Sequence, residues 1–543
     1  MAANITTRGS SVKVDAFAGV ISRPRVSAAA AIILALSLGT LLLHVVANAV
    51  NPYGYFRDEF YYLACSQHLA FGYVDHPPLL PAITRLTTLA FGDSINVIRL
   101  LPAIAGAGLV VLVGIMVREF GGGWKATALA TLTAAVAPIY LLVGGMLWTA
   151  PYEHVVWATC AFFLIRLLKT GNARYWLAIG ITIGIGLETK HNVAFLAIAV
   201  VAGTLLTSNR RYLTDRWLWA GAALALLIAL PHLVWQINHG WPTLEFARNA
   251  AGDKNAQGAA LDMVLMQLVI LIPVAAPIWL TGLGWCLFSR DGKRYRMIAL
   301  LWIVPFVLFM VQGGSSAHYL TPAAAPLLAA GAVALERWRP FARTTWVPAS
   351  AVALIAVTGV AMMPVCLNVL PVNSAESFVR AIGLDEMEME KGKVGVLPQW
   401  FSDRFGWEAM TATVAEVYRS LPEEDQARVA ILANNYGEAD AIDFFGGAYG
   451  LPKTISGHNN HYLWGPGDAT GEVVIGVGVN ENFSEGGIAG HERFLRERFG
   501  SVERVASVSC EHCTNEEQGL PIYLLRDPVR PLREMWEDFK HFG

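Results

Sequence analysis

Three carboxylates lie close together in a stretch rich in tyrosine. Asp58 and Glu59 belong to Asn51-Pro-Tyr-Gly-Tyr-Phe-Arg-Asp-Glu-Phe-Tyr-Tyr62, and Asp75 to Gly72-Tyr-Val-Asp-His-Pro-Pro-Leu79. Both follow the first membrane-length apolar run. Carboxylates take up protons and bind cations, and charge at the edge of hydrocarbon is costly and rarely kept there without a use. The placement predicts an enzyme working where lipid meets water. Adjacent residues on a helix point about 100° apart, so Asp58 and Glu59 cannot both aim at one reacting atom. One works and the other supports it.

The elements around this loop are those of a multi-pass membrane protein. The chain has 543 residues, 55% of them hydrophobic and only 15% charged, with a mean hydropathy of +0.45. Soluble proteins usually hold about 25% charged residues. The balanced net charge of −2 lacks the basic footprint of a nucleic-acid binder. Apolar runs predict eleven spans, at 28–50, 95–117, 125–145, 148–168, 174–188, 191–207, 217–237, 260–288, 296–312, 317–336 and 345–370. With residues 1–27 as a cytoplasmic tail, nineteen Lys and Arg fall on the inner side up to residue 370 and six on the outer. That asymmetry orients the loop 51–95, and everything after residue 370, outward from a plasma (inner) membrane.

Two segments of the first loop, 57–71 and 78–91, read as amphipathic and able to lie in the interface, with Gly72 as the break and Pro77-Pro78 stiffening the re-entry. Residues 371–543 change character and predict a soluble α/β domain. Its strands are expected at 427–433, 472–479, 502–509 and 522–525, and its helices at 439–449 and 490–499. The stretch Ser456-Gly-His-Asn-Asn-His-Tyr-Leu-Trp-Gly465 offers His458, Asn459, Asn460, His461 and Trp464, a composition suited to a sugar surface. The domain is therefore expected to recognise an acceptor without performing chemistry. Cys510 and Cys513 predict a small disulfide in an oxidising compartment, and Cys65, Cys160, Cys286 and Cys366 read as packing residues.

The pattern Tyr55-x-x-Asp58-Glu59-x-x-Tyr62, then Gly72-Tyr-x-Asp-His-Pro-Pro-Leu79, then Phe91-Gly-x-Ser-x-x-x-x-Arg99, resembles the family 39 glycosyltransferases. These include the protein O-mannosyltransferases and the bacterial aminoarabinose transferases that modify lipid A. The resemblance continues at Gly184-Ile-Gly-Leu-Glu-Thr-Lys190 and Ala317-His-Tyr-Leu-Thr-Pro-Ala-Ala-Ala-Pro-Leu327 and covers roughly residues 28–340. It implies a mainly α, polytopic GT-C membrane fold over residues 28–370 and a polyprenyl-phosphate-linked sugar as donor. The acceptor is a hydroxyl of a lipid, glycan or protein at the outer membrane surface, and the sugar is a hexose such as mannose, or a pentose.

Asp58 matches the family's catalytic acidic residue, which implies a base or acceptor-orienting group for an inverting transfer, with Glu59 in support. His76, Lys190, His318 and Tyr319 are the candidates for contact with the donor phosphate. Asp75 and His76 are candidate ligands of a divalent metal ion, with His318 to complete the set. The alternative reading is a transporter or flippase for a lipid-linked or small polar substrate. Transporters concentrate polar groups deep in broken helices and show internal repeats. Here the polar groups cluster in an outer loop, and no repeat stands out.

Overall fold

The structure, a computed structural model, describes residues 27–253, 260–312, 317–384, 397–478, 487–514 and 517–543. Helices fill the first two thirds. The first, α1 (Ala28–Val50), starts at Ser27, whose hydroxyl accepts from the Ala30 amide. Among the described residues, six helices are long and apolar enough to cross a membrane, and up to nine spans result if three bent pairs are each one span. The bends fall within 124–144 (56°), 193–214 (102°) and 263–288 (97°). The remaining two sequence segments are also helical. Ala150–Thr170 includes the charged residues Glu153, Arg166 and Lys169. Tyr175–Leu187, at 13 residues, is only about 20 Å long against a hydrocarbon core of about 30 Å.

Tight packing joins these helices. Ala276–Phe288 and Ala324–Arg337 meet through Gly282 and Gly331, where a Cβ on either would collide with the other helix's backbone. Without water to drive apolar faces together, such close approach is how membrane helices hold one another.

Between α1 and the helix Ile95–Glu119 lie two short helices, α2 (Arg57–Gln67) and α3 (Leu79–Phe91). They match the two amphipathic segments of the sequence. The α2 N-terminus lacks a polar N-cap residue, since Phe56 sits there. Glu59 substitutes by accepting from the Phe56 amide at 2.8 Å.

After Cys366 the chain builds a five-stranded sheet in the order β2-β1-β3-β5-β4. The strands are β1 (Ala430–Ala433), β2 (Thr454–Ser456), β3 (Val473–Val477), β4 (Phe499–Ser507) and β5 (Pro521–Pro528). β1 pairs in parallel with β2 and β3, and β5 runs antiparallel to β3 and β4. Helices Trp407–Ser420 and Tyr436–Phe445 share an apolar core with the sheet, into which Phe60 of α2 inserts. The α/β part is thus packed directly on the loop that carries α2. Cys510 and Cys513 are disulfide-bonded, and the other four cysteines are buried thiols.

Candidate active site

The α2 helix turns its two acidic residues in different directions. Glu59 is fully buried and forms a bidentate pair with Arg99, Oε1 accepting from Nε at 2.7 Å and Oε2 from Nη2 at 2.6 Å. Oε1 also accepts from the Leu147 amide at 3.0 Å. Burial alone would push this carboxyl up. The Arg99 guanidinium outweighs it and holds Glu59 below the usual carboxylate value. Three stretches of chain, at Phe56, Arg99 and Leu147, are tied to this one side chain, which does not line the cavity described next.

Asp58 faces a cavity of about 460 Å³. Its walls bring together Asp75, His76, Lys190, His318 and Tyr319, so of the residues proposed from the sequence for catalysis, donor or metal Glu59 alone lies off this cavity. Asp75 Oδ1 accepts from the Tyr61 hydroxyl at 2.8 Å. His76 stacks on Tyr73 at 4.6 Å between ring centres. Its Nδ1 lies 3.0 Å from the Pro77 carbonyl, which makes Nδ1 the donor there. The buried Nε2 of His76 has no hydrogen-bond partner among the described residues. Buried polar atoms are normally satisfied, so this nitrogen is poised for a group that enters the cavity.

Lys190 Nζ pairs with Glu153 Oε2 at 3.0 Å and sits over the rings of Trp148 (5.5 Å) and Tyr319 (5.1 Å). Asn192 bridges the Glu153 carboxylate to the Tyr319 carbonyl. His318 packs on Tyr319 and Trp148. Apolar side chains, including Leu142, Met146, Phe195, Phe246 and Phe309, complete the walls. The cavity is therefore amphipathic, able to hold an apolar chain beside a charged head. Among the described residues no group of three or more His, Cys, Asp or Glu is arranged to hold a metal ion, so Asp75 and His76 stand there without a third ligand.

Several side chains at or beside the cavity carry no role in the sequence reading. Glu153 holds Lys190, and a carboxylate within an apolar segment is itself a signal of use. Arg57 lies 3.7 Å from Asp58 Oδ1 and 3.6 Å from Asp403. Gln399, Trp400 and Tyr436 reach the cavity wall from the α/β part, and no local pattern marks them.

The stretch after β2 takes a different place. His458, Asn459, Asn460 and His461 are all buried. His458 Nδ1 accepts from the Tyr436 amide at 3.1 Å, while Nε2 donates to the Gly543 carbonyl at 2.8 Å. Asn459 Oδ1 accepts from the Gly543 amide at 3.3 Å. Asn460 donates to the Tyr61 hydroxyl at 2.5 Å and accepts from the Val74 amide at 3.0 Å. His461 pairs with Asp440 at 2.8 Å, and burial pushes the Asp440 carboxyl up against the pull of His461. Trp464 stacks on His68 of α2 at 4.3 Å. Of these five, His461 and Trp464 line a separate cleft of about 670 Å³ on the other side of α2.

The fold is an ArnT-like, polytopic GT-C fold, and over part of its length the chain resembles the family 39 glycosyltransferases. The sequence profile of the dolichyl-phosphate-mannose-protein mannosyltransferases matches residues 75–235. The chain is 28% identical to the lipid A galacturonosyltransferase RgtD of Rhizobium johnstonii over 289 residues, 51% of this chain and 59% of the relative. It is 28% identical to the lipopolysaccharide core galacturonosyltransferase RgtB of the same organism, over 37% of this chain and 42% of the relative. The matched part thus spans about half the length of these relatives. The structure of ArnT from Cupriavidus metallidurans bound to undecaprenyl phosphate superimposes with a TM-score of 0.56, covering 91% of this chain and 97% of that one at 14% identity. Its apo form gives a TM-score of 0.57. At that identity the likeness shows the fold.

Proposed function

We propose that the protein transfers a sugar from a polyprenyl-phosphate donor to a hydroxyl of a lipid-linked glycan, of the lipid A or lipopolysaccharide core type, at the outer face of the inner membrane. The observation that supports this most is the convergence of Asp58, Asp75, His76, Lys190, His318 and Tyr319 on one amphipathic cavity. ArnT holds undecaprenyl phosphate, and the Rgt relatives act on lipid A and core, which favours this donor and acceptor class. The Lys and Arg asymmetry supports an outward orientation for the loop and for residues 371–543.

In the proposed reaction the acceptor oxygen attacks C1 of the donor sugar from the face opposite the phosphate, with inversion. The new O–C1 bond forms as the C1–O–phosphate bond breaks. The acceptor proton passes to the Asp58 carboxylate, and the bonding electrons leave on polyprenyl phosphate. Charge grows on the departing phosphate, where Lys190 and donors from His318 and Tyr319 stabilise it. His76 Nε2, an acceptor as long as Nδ1 donates to the Pro77 carbonyl, takes a hydrogen bond from a hydroxyl of the donor. Asp75 orients the sugar hydroxyls. Glu59 contributes by fixing α2. Trp464 and His461 in the second cleft are proposed to contact the acceptor glycan, whereas His458, Asn459 and Asn460 hold that cleft's frame.

The test is to incubate purified protein with undecaprenyl phosphate bearing galacturonic acid, mannose or aminoarabinose, and with lipid A or core oligosaccharide as acceptor. Transfer to one acceptor with release of undecaprenyl phosphate is expected. Movement of intact donor across a vesicle bilayer without transfer would instead favour a flippase.

A further inference from the structure

The two carboxylates of the cavity are each held by a tyrosine hydroxyl, and the two tyrosines are stacked. Tyr61 of α2 donates to Asp75 Oδ1 at 2.8 Å. Tyr436 of the α/β part donates to Asp58 Oδ1 at 2.8 Å, across 378 positions of sequence. Their rings lie 4.4 Å apart at 25°. The stack continues through His458, 4.9 Å from Tyr436, to His541, 4.5 Å further on. From the α/β part Asn460 donates to the Tyr61 hydroxyl. That part therefore reaches both acids, Asp58 directly and Asp75 through Tyr61.

The sheet topology explains how Tyr436 is delivered. It follows β1 by three residues and opens the helix Tyr436–Phe445, whose capping box joins Asn435 and Glu438. Its amide, at a helix start where no intrahelical acceptor exists, donates to His458 just beyond β2. Tyr436 and His458 thus stand at the carboxyl ends of two adjacent parallel strands, β1 and β2. In open α/β sheets that edge is where functional side chains gather, next to the strand at which the connections change direction. Here the same edge is pressed against α2. Burial pushes the Tyr61 hydroxyl well above its ordinary range, which keeps it a donor.

We propose that Tyr436 is a positioning residue for Asp58, so that the α/β part completes the active site. The hydroxyl occupies Oδ1 and fixes the carboxylate plane, leaving Oδ2 for the acceptor proton. A short carboxylate on the first turn of a helix otherwise samples several rotamers, and a base out of line with its proton is slow. This inference rests on the reading of Asp58 as the base.

The test compares wild type, Tyr436→Phe, Asp58→Asn and the double variant as full-length protein in nanodiscs. The probes are undecaprenyl-phosphate galacturonic acid with lipid A for turnover and undecaprenyl phosphate for binding. Phenylalanine keeps the ring stack and removes only the hydroxyl. Tyr436→Phe is expected to lower kcat about 10-fold, the lower end for a hydrogen bond to a charged group, with acceptor KM, undecaprenyl phosphate affinity and Tm nearly unchanged. Added to Asp58→Asn it should lower the rate no further, because the hydroxyl acts through the carboxylate. A normal kcat for Tyr436→Phe beside a crippled Asp58→Asn overturns this inference alone. So does a multiplicative double variant. Wild-type turnover by Asp58→Asn overturns the assignment of the base, and the inference with it.

Discussion

Of the cavities beside α2, the cleft of about 670 Å³ and the cavity of about 460 Å³ differ most, and the larger of these two is not the one where reactive groups converge. Phe60, Leu63, Ala64, Gln67 and His68 recur at helical spacing and face the cleft of about 670 Å³. Asp58 and Tyr62, four residues apart, face the cavity of about 460 Å³ on another side. In the cleft the charges are settled among near neighbours within the α/β part, Lys453 with Asp443, Arg428 with Asp425 and Glu472, and His461 with Asp440. In the smaller cavity the groups arrive from separate stretches, at 57–62, 75–76, 190–192, 318–319 and 436. Bringing them together demands the whole fold, whereas the cleft needs only one sheet and one helix face. Size therefore says less about chemistry than the distance in sequence from which polar groups are gathered.

The sharpest way to break this contrast is at Asp58. Asn keeps the size of the side chain and a hydrogen-bonding oxygen for Tyr436 but cannot take up the acceptor proton. Asp58→Asn is expected to lower turnover by about 10²-fold or more, the lower range for a general base, with undecaprenyl phosphate still bound. Steady-state rates beside a binding measurement check this. A rate within threefold of wild type removes the distinction between the two cavities.

The opposite wall predicts a smaller effect of another kind. Lys190→Ala removes the cation nearest the proposed phosphate and should weaken undecaprenyl phosphate binding about 10-fold, with Lys190→Arg intermediate. Because Glu153 then loses its partner, Lys190→Ala/Glu153→Gln is the companion variant. It should regain thermal stability and not affinity. Recovery of both would make Lys190 a purely structural counter-ion.

How much of this was legible follows from which side chains act locally. The first-loop residues Asp58, Glu59, Asp75 and His76 announce themselves by type and spacing, and the helices α2 and α3 follow the amphipathic segments. The strands β1, β3, β4 and β5 stand close to the apolar runs that predicted them. β2 is three residues long, too short for any period to show. Tyr436 is illegible for a different reason. It is one tyrosine after one strand, and its meaning comes from the docking of the α/β part on α2. Likewise Arg99 reads as an interface anchor at the start of a span. Only the fold reveals it as the buried partner of Glu59.

Glu59 tests the neighbouring half of the comparison, because it shapes α2 without facing either cavity. Glu59→Gln leaves the Arg99 guanidinium buried and uncompensated. Breaking such a pair costs about 3–5 kcal/mol, so thermal unfolding should move down by several degrees. Its effect on kcat should be below that of Asp58→Asn. The pH dependence has a definite sign. With Glu59 held below its ordinary 4.5, the pair stabilises the fold above that pH, and the contribution is lost as pH falls from there through the folded value. Wild type should lose stability in that acidic window, and Glu59→Gln, already without the pair, should lose less. Equal acid sensitivity in the two proteins would detach the pair from the stability of α2.

The smallest effect is expected in the large cleft, at Trp464, which stacks on His68 and meets His461 edge-on at 4.6 Å. Removing an aromatic contact is worth about 0.5–1.5 kcal/mol. If the cleft receives the acceptor glycan, Trp464→Ala should raise acceptor KM about 5-fold and leave kcat within about twofold, the pattern of binding shared equally by ground and transition states. Undecaprenyl phosphate affinity should not move, because the donor is proposed to occupy the other side of α2. Combined with Tyr436→Phe the two effects should multiply, since one acts on KM and the other on kcat through different faces of the helix. A fall in kcat as large as that of Tyr436→Phe would instead mean that Trp464 acts through its stack on His68, holding α2 and with it Asp58. The cleft would then be scaffold for the smaller cavity, and acceptor recognition would have to move there as well.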